Sequence, residues 1–327
     1  MVVRAAFLRC SLVGAAVLSV AWCSSPAHAV IVRGDDESAV AAPPADDPGW
    51  ANVVSVGSAT GVYLGKGWVL TAAHVWGSGQ TSVLVNGNYY RVQPGTARRL
   101  FHPETGAPSD LQLFHLSDPP QDLRSVSISS SAPPPGSTVL GIGNGRNRTA
   151  DETWWDSNWR PTEPGTPGAY HGFSYAPGNA KRWGVNQLLP GTVLGNDGFG
   201  ATYMLRTRLD EGGDPTEMQA ATGDSGGALF CKRDGNWELA GLILAVSPVR
   251  AGQPGGTVVY GDSTYYADLS RYHDQIQAIV SNPAAGDVPE PSSLALLLCL
   301  VAGATVWYRW RRARKLPAWK CAAPADP

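Results

Sequence analysis

Cysteine is scarce: the chain has five in 327 residues. Four of them, Cys10, Cys23, Cys299 and Cys321, lie in the terminal regions, so only Cys231 falls in the body. An intramolecular disulfide framework is thereby excluded for the body. Cys231 closes the strand-like "GGALFC" and is expected to be a buried small hydrophobe rather than a nucleophile. Charge is sparse as well, at 16% of residues with a formal net charge of -2. The one dense group of basic residues is at the C-terminal tail and the rest are scattered, which leaves a nucleic-acid-binding role without its electrostatic footprint. Internal repeats are absent. His102 and His115 are separated by too much ordinary sequence to make a metal site, and no metal or organic cofactor is expected.

Long apolar runs occur only near the two ends. Arg4 and Arg9 precede "CSLVGAAVLSVAW", and the small residues Ala27 and Ala29 close the pattern. A basic start, a short apolar stretch and a small-x-small ending predict a secretory signal peptide over 1–29. At the other end, "SNPAAGDVPEPSS" predicts a linker over 281–293. An apolar stretch follows over 294–310, expected to be a transmembrane helix although short of the usual ~20 residues. The basic tail 311–327 comes next, and Arg309, Arg311, Arg312, Arg314 and Lys315 crowd the junction as in a helix stopped at the cytoplasmic face. The order "VPEPSS", apolar helix, arginine cluster resembles the PEP-CTERM sorting signal of Gram-negative bacteria. That resemblance implies handling by signal peptidase and an exosortase-like enzyme, passage through the cytoplasmic membrane held by the C-terminal helix, and a final place at the cell surface or outside the cell.

The body, residues 30–280, is made of short apolar runs such as "NVVSVG", "WVLTAAHVW", "DLQLFHL", "STVLGIG", "ATYMLRT" and "WELAGLILAVS". Most are four to eight residues, rich in Val, Leu, Thr and Tyr, and bounded by Gly, Pro, Asp or Asn, which is the pattern of an all-β protein. One helix is predicted, in "LSRYHDQIQAIV", where Leu269, Tyr272, Ile276 and Ile279 recur at helical spacing and Ser270 is placed to cap the start. Between 144 and 199 the pattern breaks down. Trp154, Trp155, Trp159 and Trp183 argue against disorder, so that stretch is read as long ordered loops pinned by aromatic contacts, with a possible part in shaping substrate access.

Three polar residues stand at the edges of strand-like runs: His74 in "WVLTAAHVW", Asp110 in "APSDLQLFHL" and Ser225 in "TGDSGGALF". A serine hydroxyl is a poor nucleophile at neutral pH, and an imidazole titrating near 7 can take its proton. A carboxylate can hold the ring in the required tautomer and stabilise the imidazolium. The amides of Gly223 and Ser225 can point at a developing oxyanion. Taken singly, each residue has an ordinary structural reading: a packed histidine, a turn aspartate, a glycine loop.

Together, "LTAAHV", "SDLQLFHL" and "GDSGGAL", in that order, resemble the trypsin/chymotrypsin-like serine proteases from Ile31 onwards. The resemblance implies two packed six-stranded antiparallel β-barrels with a C-terminal helix, a serine endopeptidase activity without cofactor, and a protein or peptide substrate. His74, Asp110 and Ser225 are its expected catalytic residues, with Gly223 and Ser225 as oxyanion hole. "IVRG" resembles the family's mature N-terminus, which implies an ion pair between Ile31 and Asp224. Cutting after Ala29, however, leaves Val30 first. The specificity pocket maps to Gln219 at its base and to Ala245 and Ser247 on its wall. An uncharged base implies non-tryptic preference. Asp210, Glu211, Asp214 and Glu217 are read as a solvated loop rather than an acidic rim. The reading from a different class is a catalytically silent homologue acting as a cell-surface binding module.

Overall fold

The computed structural model describes residues 30–34, 39–76, 80–196 and 198–281. β-branched and aliphatic runs punctuated by glycine turns form strands throughout, as the alternation of apolar and turn residues requires. Two seven-stranded antiparallel sheets carry the body. The first runs, edge to edge, through Asn88–Arg91, Ser82–Val85, Val53–Val56, Ala59–Gly65, Trp68–Ala72, Pro108–His115 and Arg98–Phe101. The second runs through Arg182–Gln187, Thr138–Gly143, Ala228–Arg233, Asn236–Ser247, Ser263–Asp268, Ala201–Arg208 and Val193–Asn196.

The expected pair of closed six-stranded barrels is therefore corrected: the fold is all-β, but its main sheets are open and seven-stranded. The edges explain why. Asn88–Arg91 and Val193–Asn196 are four-residue strands with exposed polar positions. Beyond the first of them, among the described residues, the chain makes only the single bridge Val92–Leu116, so no continuous ladder joins the two edges there. Short, polar edge strands also resist pairing with another chain.

One apolar cluster spans both sheets, bringing Val62, Leu70 and Leu111 together with Leu140, Phe230 and Leu242. The helix His273–Ser281 closes this cluster with Ile276 fully buried and Ile279 against it. Its approach differs from expectation. Leu269–Arg271 is a 3-10 turn capped by Asp268, whose carboxylate accepts the Ser270 N–H, so Ser270 is capped rather than capping. Cys231 is buried, and burial pushes its thiol above the ordinary range, which fits the inert role expected of it.

The tryptophan-rich segment is a sheet, not a set of loops. Arg146–Arg148 and Thr153–Trp155 both pair with Tyr170–Asn179, and Thr257–Val259 adds a fourth strand from far along the chain. Gly172 is obligatory there, because a Cβ would stand 2.1 Å from the Val258 carbonyl oxygen. Aromatic contacts do pin the segment: Trp154 stacks on His171 at 4.1 Å, and Trp159 on Tyr170 at 4.8 Å. Between them, Glu152 accepts from both His171 and the Tyr260 hydroxyl.

Among the described residues no helix is long and apolar enough to cross a membrane. The expected transmembrane helix 294–310, the basic tail, the signal peptide and the linker beyond Ser281, which is the last residue of the helix, lie outside the described residues. Nothing described supports the transmembrane assignment, membrane association through a C-terminal helix or transient residence in the cytoplasmic membrane. Those expectations, with the exosortase-like partner that depended on them, are withdrawn.

Candidate active site

His74 lies two residues past the end of the strand Trp68–Ala72 of the first sheet, and Asp110 sits within the neighbouring strand Pro108–His115. Because the two strands pair with Ala72 opposite Leu111, the turn after Ala72 lands beside Asp110. The Asp110 carboxylate is fully buried and accepts twice from His74: Oδ1 from the backbone N–H at 2.8 Å, and Oδ2 from Nδ1 at 2.6 Å. Donation from Nδ1 fixes the tautomer that turns a lone pair outwards at Nε2, the state a general base needs. Sequence gave no hint of a third partner, Thr202, whose Oγ1 accepts the Asp110 N–H at 2.9 Å. This bond reaches into the second sheet and ties the aspartate strand across the interface.

Ser225 comes from the second sheet, in the turn before Ala228–Arg233. Its position depends on bonds between the two main sheets. Thr60 of the first sheet donates its N–H to the Ser225 carbonyl at 3.0 Å and its hydroxyl to the Gly223 carbonyl at 2.8 Å. The glycines are sterically required: Gly223 and Gly226 have φ of +99° and +84°, and a Cβ on Gly226 would lie 2.0 Å from the Thr60 carbonyl oxygen. Thr60 carried no motif, and only the folded contact reveals it. Asp224, Gly226 and Gly227 each spend their N–H on a backbone carbonyl. The Gly223 and Ser225 amides make no such bond among the described residues, which leaves them available to an external oxygen.

His74 and Ser225 line one open cleft of ≈ 390 Å³, together with Gly223, Arg146 and Asn179. Phe199 leans on the His74 ring from the other side, with centroids 5.2 Å apart. It lies between Gly198 and Gly200, and its carbonyl accepts from Arg99. A single aromatic between two glycines is the only signal that local sequence offers for it.

Asp224, the residue before Ser225, is fully buried. Its Oδ1 accepts from Gly145 at 2.7 Å and its Oδ2 from Ala221 at 2.8 Å. The third backbone donor is Val30, not Ile31. Ile31 lies one residue further on, paired with Gln219 in the two-stranded sheet Ile31–Val32 with Met218–Gln219. Burial pushes the Asp224 carboxyl up to about 7, against the lowering influence of the three N–H donors and the buried Arg182 guanidinium. Gly143 makes room for the carboxylate, since a Cβ there would stand 2.1 Å from Oδ1.

The residues expected at the specificity pocket are neighbours through one threonine. Thr264 pairs with Val246, between Ala245 and Ser247, and its hydroxyl accepts the N–H of Ala220, next to Gln219. Gln219 is 1% exposed, and neither atom of its amide finds a partner among the described residues. The acidic stretch behaves differently from a plain solvated loop. Asp210, Asp214 and Glu217 line a separate cavity of ≈ 440 Å³ that shares no described lining residue with the cleft of His74 and Ser225. Glu217 is buried there, accepts the Asp210 N–H at 2.7 Å, and is raised above the ordinary carboxylate range by that burial. Among the described residues no cluster suited to a metal ion occurs.

A family model described as Trypsin matches residues 39–163, a span that holds His74 and Asp110. Over that span the chain is similar to the Trypsin family. Outside that match lies Ser225, which the fold returns to the same cleft. No curated protein matches the chain. Solved structures similar to this chain include kallikrein-related peptidase 10 in complex with Zn2+, at 20% identity over 73% of this chain and 100% of that one, with a TM-score of 0.45. Neuropsin from mouse brain is 18% identical over 73% and 97%, with a TM-score of 0.46. A mutant of human heparin binding protein is 15% identical over 77% and 98%, with a TM-score of 0.49. At such identities nothing of those proteins' activities is carried to this chain.

Proposed function

We propose that the protein is a serine endopeptidase that hydrolyses peptide bonds through an acyl-enzyme on Ser225. One observation carries this reading: a fully buried carboxylate holds His74 by a 2.6 Å bond while His74 and Ser225 open on one cleft. In the forward half-reaction the Ser225 Oγ attacks the substrate carbonyl carbon and passes its proton to Nε2 of His74. The oxyanion so formed accepts from the Gly223 and Ser225 amides. Collapse breaks the C–N bond, and the amine leaves with the proton held by His74. Water then attacks the ester carbonyl, gives a proton to His74, and releases the acid as Ser225 recovers its hydroxyl proton.

Labelling with a fluorophosphonate probe tests this. The wild type is expected to label and the Ser225→Ala chain not to, and equal labelling of the two would sink the reading. Specificity follows from Gln219, an uncharged buried amide at the expected pocket base. Cleavage of a peptide library is expected to show non-basic residues before the scissile bond, and a dominant Lys or Arg there contradicts the assignment of Gln219.

Export fits the same reading. Removal of residues 1–29 by signal peptidase would make Val30 the first residue and convert its nitrogen, beside Asp224, into an ammonium.

A further inference from the structure

The cleft that holds His74 and Ser225 carries a fixed charge that the hydrolytic chemistry does not use. Arg146 lines it, is exposed, and has no ion pair with a carboxylate among the described residues. Among the described residues no Asp or Glu lines the cleft beside it. The backbone under Arg146 is held firmly. Its N–H donates to the Thr222 carbonyl at 2.8 Å, and the preceding Gly145 N–H is bound by Asp224 at 2.7 Å. Asn179, paired with Arg146 across the tryptophan-rich sheet, donates to the Asn144 carbonyl at 3.1 Å and the Ser58 carbonyl at 3.3 Å. The guanidinium therefore stands on a fixed base next to Thr222 and Gly223, one step from the nucleophile.

The side of the scissile bond it faces follows from the lining. The wall expected to hold the acyl half of the substrate, Ala245 to Ser247, contributes nothing to this cleft, which runs instead between Ser58–Ala59 and Thr222–Gly223. That leaves the leaving-group half of the peptide to occupy it. Resting on the endopeptidase reading, we infer that Arg146 selects protein substrates with Asp or Glu in the first two positions after the scissile bond. The tryptophan-rich insertion thus serves to carry a cation into the active-site cleft, through its strand Arg146–Arg148.

The test uses matched internally quenched peptides that differ only in Glu, Ala or Lys after the scissile bond. For the wild type, kcat/KM is expected to favour Glu over Lys by about 2- to 5-fold, the scale of one solvent-exposed charge pair. Arg146→Ala is expected to bring that ratio to about one, and Arg146→Glu to invert it. A wild-type ratio of one, or a ratio that Arg146→Ala leaves unchanged, overturns the inference. Fluorescence anisotropy of the Glu and Lys peptides on the Ser225→Ala chain, with and without Arg146→Ala, reads the same preference without turnover. If no peptide is cleaved but the Arg146-dependent binding preference persists, the endopeptidase reading fails and the charge selection stands. Equal binding of both peptides removes the charge selection alone.

Discussion

Asp110→Asn is expected to lower kcat by about 10⁴-fold while the protein stays folded. The carboxylate has two acceptor oxygens, and both are engaged by His74: one by its backbone N–H at 2.8 Å and one by Nδ1 at 2.6 Å. An asparagine can keep its single oxygen on the backbone donor, but its NH2 then faces Nδ1. The ring answers by moving its proton to Nε2, where it can no longer take the Ser225 proton. Geometry survives while the protonation pattern is wrong. Turnover of a peptide reporter together with a thermal melt checks this. A loss below about tenfold would mean that the tautomer held by Asp110 does not limit the reaction.

The second large effect concerns Val30. With a peptide bond before it, its nitrogen is a neutral donor to Asp224, and burial raises that carboxyl to about 7. The folded state then keeps a proton that the unfolded state gives up above its ordinary value of 3.8. Stability contributed by the protonated form is full below about pH 4 and is lost as pH rises through about 7. A chain beginning at Val30 offers an α-ammonium instead, with an ordinary pKa near 8. The pair keeps Asp224 ionised, removes the decline between about pH 4 and 7, and stabilises the loop that holds Gly223 and Ser225. Leaving one member of a buried pair without its partner costs about 3–5 kcal/mol. Denaturant melts at pH 4 and pH 7 for the full chain and for a chain starting at Val30 separate the two. Parallel pH dependence in both would show that the terminal nitrogen is not what compensates Asp224.

Much of the site was legible because its parts are local. "LTAAHV" and "GDSGGAL" each place a functional residue at a strand edge within a few positions, and the fold keeps those edges where short-range patterning predicts them. What escaped depends on contacts made far along the chain. Thr60 reaches Gly223 across 163 positions, and Thr202 reaches Asp110 across 92, so neither could be seen from its neighbours. The register at Asp224 was off by one residue, since sequence alone cannot say which nitrogen, of Val30 or Ile31, turns inwards. Glycine, proline and tryptophan hid three strands between 146 and 179, because strand propensity there is supplied by cross-strand aromatic stacking rather than by β-branched runs. Sheet closure was misjudged for a related reason: whether an edge pairs depends on the length and polarity of short strands such as Asn88–Arg91, which local patterning does not weigh.

The most direct measurement is a crystal structure of the protein after reaction with a small fluorophosphonate. The account predicts phosphorus bonded to Oγ of Ser225, its oxygen accepting from the Gly223 and Ser225 amides, and Nε2 of His74 facing the adduct. Phosphorus on another residue, or an unmodified Ser225 after exhaustive treatment, would contradict it.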